Sequence, residues 1–258
     1  DTVYQKVLAL ANKEQRGYIT PQEFNLFADH AQQDIFRQYF HDLDQARRRA
    51  GNDTHYADIV TGIEEKISLF EKYGQSISPV DSNGNVDLTV TFPDIYKVTR
   101  VMVDYSANTV GYGISTVSGS VEAEQVQIKK LTQLSGSSLV TNLTSSGYCS
   151  YYTLTGQDNP KRMKIWPHPN TGDEILVSYI RQPGYETEAP NWTYLISGES
   201  ALFDPDPTKG WRDFELHASE ENVLVIKILQ LAGINIKDAS LVQAAAQEEI
   251  KKIQQEKQ

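Results

Sequence analysis

The chain has 258 residues, a formal net charge of −10 and a mean hydropathy of −0.47. This length is enough for one large domain or two small ones. The acidic balance argues against a nucleic-acid groove, because DNA binding requires clustered Lys and Arg. The single cysteine, Cys149, excludes a disulfide framework within the chain and any multi-cysteine zinc site.

The hydrophobic runs are short, and the longest, such as residues 223–226, fall far below the length of a membrane span. Residues 1–11 lack the basic and continuous apolar regions of a signal peptide, so no secretory leader is expected there. We therefore expect a protein that folds in a reducing cytoplasm and has no membrane partner.

Three helices are predicted in the first third of the chain. A short amphipathic helix is indicated by Val3, Val7, Leu8 and Leu10, and Gly17 should end it. A third helix is predicted from Tyr56 to Tyr73, closed by Gly74 and Pro79. Its apolar stripe consists of Ile59, Ile63, Ile67 and Phe70.

Between these two lies the longest predicted helix. Thr20 is suited to the N-cap, Pro21 to the first helical position, and Glu23 completes a capping box. Apolar residues then recur at helical spacing as far as Leu43. The helix should run to about Arg49, a length of roughly 43 Å.

The middle of the chain is predicted to be β structure. One strand is indicated by alternating apolar residues: Val86, Leu88 and Val90. Another is expected from Val98 to Tyr105. Met163–Trp166 and Ile175–Ile180 are expected to form a hairpin around residues 169–172. Tyr148 to Tyr152, which contains Cys149, is expected to be a half-buried strand.

Residues 182–209 contain four prolines and are expected to be an ordered excursion with little regular structure. Loops of that length are usually functional, and contact is the expected role here.

Two helices are predicted at the end of the chain. The first should be capped by Ser219, carry its apolar stripe from Val223 to Leu231 and stop at Gly233. The second, capped by Asp238, should run to about Gln255. Its apolar seam is thin: Leu241, Val242, Ala245, Ile250 and Ile253. We expect this rod to pack in a bundle with the N-terminal helices or against a partner, because such a helix is rarely stable alone in water.

Two patterns resemble metal sites, and neither fits one. Residues 81–87 alternate acidic and amide oxygens, but Gly84 stands fourth rather than sixth, and Phe92 occupies the twelfth position of an EF-hand loop. A polar turn is the simpler interpretation. The five histidines form no chelating pair; they are His30, His41, His55, His168 and His217. No metal or cofactor site is predicted.

No catalytic residues are predicted either. The chain has no GxSxG elbow, P-loop or GxGxxG motif. Cys149 is expected to be a small buried hydrophobe rather than a nucleophile. The paired glutamates on predicted helices point apart and are expected to be solvated; they are Glu64–Glu65, Glu220–Glu221 and Glu248–Glu249. Arg47 to Arg49 sit near a helix C-terminus, where cations offset the macrodipole.

Three stretches resemble virion structural proteins of tailed phages, including crAss-like and marine podovirus-like phages. They are residues 9–25 (ALANKEQRGYITPQEFN), 164–167 with 175–183 (KIWP, ILVSYIRQP) and 214–221 with 228–234 (FELHASEE, ILQLAGI). Their order along the chain is more specific than any one stretch. The resemblance implies a head-to-tail connector, or adaptor, ring protein of the phage neck that docks on the portal, with twelve copies expected.

These observations favour an α+β fold. A helical bundle is expected from residues 1–79 and 212–258, with an inserted antiparallel β unit at 80–211. The expected function is a non-enzymatic ring that bridges portal and tail and passes DNA without binding it specifically. It would be located in the virion and assembled in the cytoplasm of the host bacterium.

Other functions stay open. The chain could be another virion component, such as a tail hub or a capsid-surface protein. The 14 Tyr, 8 Phe and 3 Trp also suit a β module that binds carbohydrate or a receptor, with residues 191–211 as its site. An enzyme is the least expected class.

Overall fold

The computed structural model of the protein contains both helices and β-sheets, so the expected α+β class holds at that level. It divides into two compact units. The first unit is formed by Asp1–Leu69 with Pro183–Gln258, and the second by Phe70–Gln182. The structure describes residues 1–13, 19–48, 54–78, 85–105, 119–135, 150–155, 162–166, 169, 173–185, 188–197 and 200–236.

Six helices and nine strands are found within these described ranges. The helices are α1 (Thr2–Lys13), α2 (Pro21–Arg48), α3 (Thr54–Ser68), α4 (Leu88–Thr91), α5 (Ile128–Ser135) and α6 (Glu221–Ile236). The strands are β1 (Glu71–Ile77), β2 (Asn85–Asp87), β3 (Ile95–Tyr105), β4 (Gly119–Gln125), β5 (Ser150–Thr155), β6 (Arg162–Trp166), β7 (Glu174–Arg181), β8 (Tyr194–Ser197) and β9 (Ser200–Phe203).

The unit boundaries differ from the expected ones at both ends of the second unit. Residues 70–79 were expected in the helical part, but β1 lies in the sheet of the second unit. Residues 183–211 were expected in the β unit and instead belong to the first unit, together with β8 and β9. Strand pairing and helix contacts at long sequence separation decide these boundaries.

The first unit is built around α2. Helices α3 and α6 both pack against α2, and α1 packs against α6. The buried side of α2 follows helical spacing and includes Phe24, Ala28, Ala31, Ile35 and Tyr39. Segments from both ends of the chain therefore share one core, because no single helix has enough apolar surface to be stable alone.

The start of α2 confirms the predicted capping box. The Thr20 backbone N–H donates to Glu23 Oε2 at 3.0 Å, and the Glu23 N–H donates to Thr20 Oγ1 at 3.3 Å. Helix α1 is present as predicted, while its approach to Gly17 lies outside the described residues. The sequence predicted these local features because capping depends on residues three positions apart.

The predicted third helix was too long. Helix α3 ends at Ser68, and Glu71 to Ile77 form β1, which pairs with β7. Gly74, at a φ of 55°, lies where the β1–β7 register shifts. The apolar spacing of Ile67 and Phe70 fits a helix, but pairing with a distant strand overrides this local preference.

The predicted strand through Val86, Leu88 and Val90 was also wrong after Asp87. Strand β2 covers only Asn85–Asp87, and α4 follows. The Asp87 carboxylate accepts a hydrogen bond from the Val90 N–H at 3.4 Å and so caps this short helix. Leu88 is fully buried, whereas Val90 is exposed.

The second unit contains a seven-stranded sheet of order β1-β7-β3-β4-β5-β6-β2, which curls into a half-barrel. Strand β3 confirms the prediction for Val98 to Tyr105, with Val101 and Val103 fully buried. The core of this unit includes Met163, Ile165, Ile175 and Val177 from β6 and β7. Strand β5 occupies part of the predicted Tyr148–Tyr152 strand.

Two expectations about strand pairing were wrong. β6 and β7 exist, but they do not form a hairpin: β6 pairs with β5 and β2, and β7 pairs with β1 and β3. The β unit is also not wholly antiparallel, because β4 and β5 run parallel. Alternating apolar residues identify a strand but carry no information about its partner.

Helix α6 differs from its prediction at both ends. His217, rather than Ser219, caps the preceding 3-10 turn, and its Nδ1 accepts from the Ser219 N–H at 3.2 Å. Gly233 does not stop the helix, which continues to Ile236. An internal glycine costs a helix roughly 1 kcal/mol, and the burial of Leu224, Ile228 and Ala232 offsets this cost.

Several predictions fall outside the described residues. These are the C-terminal rod from Asp238 onward, the first four residues of the calcium-like pattern at 81–87 and Cys149.

Candidate interaction surface

An aromatic cluster fills the part of the first unit where residues 190–212 meet α1 and α2. The Trp192 ring lies 4.0 Å from the Tyr4 ring, centroid to centroid, and Tyr4 lies 4.8 Å from Phe24. On its other side Trp192 stacks with Tyr194 at 5.7 Å and with Phe203 at 5.9 Å. Trp192 is only 4% exposed, so its ring is a core group of this unit.

Asn25 of α2 holds this segment in place through hydrogen bonds. Its Nδ2 donates to Asn191 Oδ1 at 2.7 Å and to the Trp192 carbonyl at 3.3 Å. Its Oδ1 accepts from the Trp192 backbone N–H at 2.8 Å. Asn191 in turn donates through Nδ2 to the Gly210 carbonyl at 2.9 Å. The excursion is therefore ordered, as predicted, because its backbone groups are satisfied by a helix side chain.

A small cavity lies beside this cluster, between Tyr4, Phe24, Trp192 and Trp211. Its volume is about 20 Å³. A water molecule needs roughly 10–15 Å³ measured in this way, so the cavity has room for about one water and none for a sugar ring.

The expectation of little regular structure in residues 182–209 was wrong, because β8 and β9 form an antiparallel hairpin there. Leu195 lies opposite Leu202, and Ile196 lies opposite Ala201. Successive side chains of a strand point to opposite faces, so Tyr194, Ile196, Ala201 and Phe203 share the face that meets Trp192 at its base. Leu195 and Leu202 lie on the other face.

The hairpin is apolar and exposed. Leu195 and Leu202 are 52% and 54% exposed, and Ile196 is 76% exposed. Neither strand carries a charged residue. Three exposed apolar side chains lie together on this one hairpin, and an apolar patch of this kind indicates a surface for protein contact. Uncharged edge strands support the same interpretation, since soluble proteins usually protect such edges with charges.

The sequence contained a signal for this hairpin that the prediction missed. Two four-residue stretches, YLIS and SALF, flank Gly198-Glu199. Two short β-prone stretches separated by two residues that include a glycine are typical of a tight hairpin. The abundance of proline and glycine around them favoured irregular structure instead.

Two ion pairs reach the start of α6 in the first unit. Glu220, which was expected to be solvated, is buried, and its Oε1 lies 2.5 Å from Lys66 Nζ of α3. The second pair is exposed and joins α1 to α6, with Lys6 Nζ 2.9 Å from Glu221 Oε1. Burial, followed by the negative charge of Glu220, raises the pKa of the Tyr39 hydroxyl. Carboxylates at a helix N-terminus are stabilised by the macrodipole, so this arrangement holds helices together.

A second polar cluster lies within the sheet unit. Asp94 accepts from Tyr179 Oη at 3.0 Å and forms an ion pair with Lys72 Nζ at 2.8 Å. The pKa of Tyr179 is raised, first by burial and then by the Asp94 charge and hydrogen bond. These bonds join β1, β7 and the residue preceding β3. The Asp94 carboxylate is therefore bound by groups of its own unit.

The structure brings none of the described histidines together. His30 and His41 are both exposed on α2, and His217 caps a turn. His55 lies among the residues whose side chains are not described, and His168 is not described at all. Across the ranges that the structure covers, no group of three or more His, Cys, Asp or Glu is arranged to hold a metal ion.

Neither the models of protein families nor the curated proteins contain a match to this chain. Among the described helices, none is both long and apolar enough to cross a membrane. We therefore infer the function from the surface of the protein, where the exposed β8–β9 hairpin is the main feature.

Proposed function

We propose that this protein is a structural virion component that forms a ring in the neck of a tailed phage and bridges the portal to the tail. The observation that carries the proposal is the β8–β9 hairpin, whose two strands carry no charged residue and expose Leu195, Ile196 and Leu202. It is a contact surface on a chain whose described polar clusters hold its own elements together. A binding or assembly role fits this arrangement better than catalysis does, so we propose that the protein is not an enzyme.

A ring requires each subunit to present two different surfaces, because head-to-tail contacts close under rotation. In this proposal the helical unit is a bundle made from both ends of the chain, and the sheet unit is an insertion. The hairpin belongs to the helical unit, and it supplies one of the two surfaces. The proposed assembly has twelve copies, with the portal and further neck or tail proteins as partners.

The charge of the chain suits a channel through which a genome passes. A net charge of −10 gives no net electrostatic attraction to DNA phosphates. The affinity of proteins for DNA depends strongly on contacts between basic side chains and phosphates. DNA would then move through the ring without specific binding. The proposed location is the virion neck, after assembly in the cytoplasm of the host bacterium.

The carbohydrate-binding alternative placed its site on the aromatic residues 191–211. Trp192 lies within the core and the adjacent cavity holds about one water, so the Trp192 ring offers no open stacking platform for a sugar. Another virion position, such as a tail hub or a capsid-surface component, would use the same hairpin and differ only in its partner.

Negative-stain electron microscopy of the purified protein, alone and mixed with the portal protein encoded in the same genome, tests the proposal. We expect rings, alone or on the portal, whose rotational average shows twelvefold symmetry. The double variant Leu195→Ser with Leu202→Ser should lose them, whereas Val90→Ser, which removes an exposed apolar side chain of the sheet unit, should not. A protein that stays monomeric in both conditions would contradict the proposed function.

A further inference from the structure

We infer that the β8–β9 hairpin is the docking surface for the C-terminal segment, residues 239–253, of a second copy of this chain. The inference rests on the proposed ring function and identifies which parts of two neighbouring subunits meet.

The hairpin requires cover on both faces. A two-stranded hairpin is marginally stable by itself, and this one packs on the aromatic core at its base, through Tyr194 and Phe203. Beyond the base, Ile196 is exposed on one face, and Leu195 and Leu202 are exposed on the other. A partner that covers this tip must therefore be apolar and able to lie along a narrow projection, as a single helix does.

The sequence of the C-terminal segment supplies such a partner. Small and apolar residues recur at intervals of three, four, four and three positions; they are Ala239, Val242, Ala246, Ile250 and Ile253. This spacing gives one narrow apolar stripe on a helix, and the alanines permit a close approach. Residues 237–258 lie outside the described part of the chain, so their helical form is a prediction from sequence.

Charge favours a contact between copies through these two surfaces. Residues 237–258 contain four Lys against four Asp or Glu, so their formal charge is zero, and the whole net charge of −10 falls on residues 1–236. Two copies therefore repel each other over most of their surface. The C-terminal segment, whose charges cancel, and the two hairpin strands, which carry no charged residue, can meet with less of this repulsion.

The proposed ring favours docking of the C-terminal segment from a second copy over docking of the subunit's own segment. If the segment covered the hairpin of its own chain, both apolar surfaces would be used within one subunit. An exchange between neighbours uses one surface of each kind on every subunit, and such a heterologous contact repeats until the ring closes.

Crosslinking between two populations of the full-length chain tests the inference. Both carry Cys149→Ser; one adds Leu202→Cys and a large N-terminal fusion tag, and the other adds Val242→Cys. A short bismaleimide can join the two only if different copies meet. The matched control replaces Leu202→Cys with Val90→Cys, an apolar position in the sheet unit that is more exposed than Leu202 and so no harder to crosslink. A single chain that carries both Leu202→Cys and Val242→Cys reports contact within one subunit.

We expect at least tenfold more crosslinked heterodimer from the Leu202–Val242 pair than from the Val90 control, increasing with protein concentration. Crosslinks found only within the doubly substituted single chain would overturn the inference, as would crosslinking no greater than the control. Electron microscopy of the same samples tests the proposed function separately. If rings form without this crosslink, the docking inference is wrong and the ring proposal stands. If the subunits crosslink but form open chains, the docking inference stands and the ring proposal is wrong.

Discussion

Asn25 Nδ2 lies 2.7 Å from Asn191 Oδ1, and this hydrogen bond spans 166 positions of the sequence. It joins the first turns of α2 to the segment that leads into the β8–β9 hairpin. The same Asn25 side chain also bonds both backbone groups of Trp192. One helix residue therefore sets the position from which the proposed contact surface projects.

Replacing Asn25 by Ala should destabilise the first unit. Three hydrogen bonds are lost, and the Trp192 backbone groups are left without their partner, so the free energy of unfolding should fall by about 2–3 kcal/mol. Urea unfolding followed by tryptophan fluorescence measures this change. Gln22→Ala, at an exposed position of the same helix, is the control and should change stability by less than about 0.5 kcal/mol. Equal effects of the two variants would show that the bonds of Asn25 do not anchor the segment.

Tyr39 and Tyr179 should respond in opposite ways to the loss of their hydroxyl groups. Tyr39 Oη is buried and has no hydrogen-bond partner among the described residues, so Tyr39→Phe should raise the free energy of unfolding by about 1 kcal/mol. Tyr179 Oη donates to Asp94 at 3.0 Å, so Tyr179→Phe should lower it by about 1.5–3 kcal/mol. Calorimetry of both variants measures the two signs. A loss of stability in Tyr39→Phe would mean that its hydroxyl has a partner.

The raised pKa of Tyr39 also predicts that the free energy of unfolding depends on pH in the alkaline range. Burial and Glu220 keep the phenol protonated in the folded state, whereas in the unfolded chain it titrates near pH 10. The stability associated with this group is therefore complete below about pH 10 and is lost as the pH rises toward the folded-state pKa. The stability gained by Tyr39→Phe over the native protein should consequently grow above about pH 10. A constant difference from pH 7 to pH 11 would contradict the raised pKa.

Trp192→Ala separates a core role from a ligand-binding role. Because the ring packs against Tyr4, Tyr194 and Phe203, its removal should cost about 3–5 kcal/mol of folding free energy. Ile196→Ala, at the exposed tip of the hairpin, should cost less than about 0.5 kcal/mol and serves as the control. Denaturant titrations give both values. A Trp192→Ala protein of native stability that had lost binding on a glycan array would favour the carbohydrate-binding alternative.

Two glycines with positive φ should differ in their tolerance of a side chain. Gly184, at a φ of 65°, would place a Cβ 2.8 Å from Asp29 Oδ1 and 3.2 Å from Gln32 Nε2. Gly74, at a φ of 55°, has open space around the same position. Gly74→Ala should therefore cost only the backbone strain, about 1–2 kcal/mol, and Gly184→Ala clearly more. Thermal unfolding of both variants measures the difference, and equal costs would show that the space around Gly184 adjusts freely.

The sequence by itself determined the features that depend on neighbours within a few positions. The capping box at Thr20 and Glu23, the helical face of α2 and the alternation that buries Val101 and Val103 all follow from local spacing. Helix capping acts across three residues, and the periods of 3.6 and 2 residues are intrinsic to helix and strand. These elements could therefore be predicted without any knowledge of their partners.

Only the tertiary structure decided which elements meet. The residues after Ser68 became β1 because β7 offers a pairing edge more than 90 positions away, and β6 and β7 pair with other strands rather than with each other. The burial of Trp192, against an aromatic composition that equally suited a binding site, depends on Tyr4 and Asn25 of distant helices. Hydrophobic burial is non-directional, so composition fixes how much apolar surface must be covered, while the three-dimensional fold decides which residues cover it.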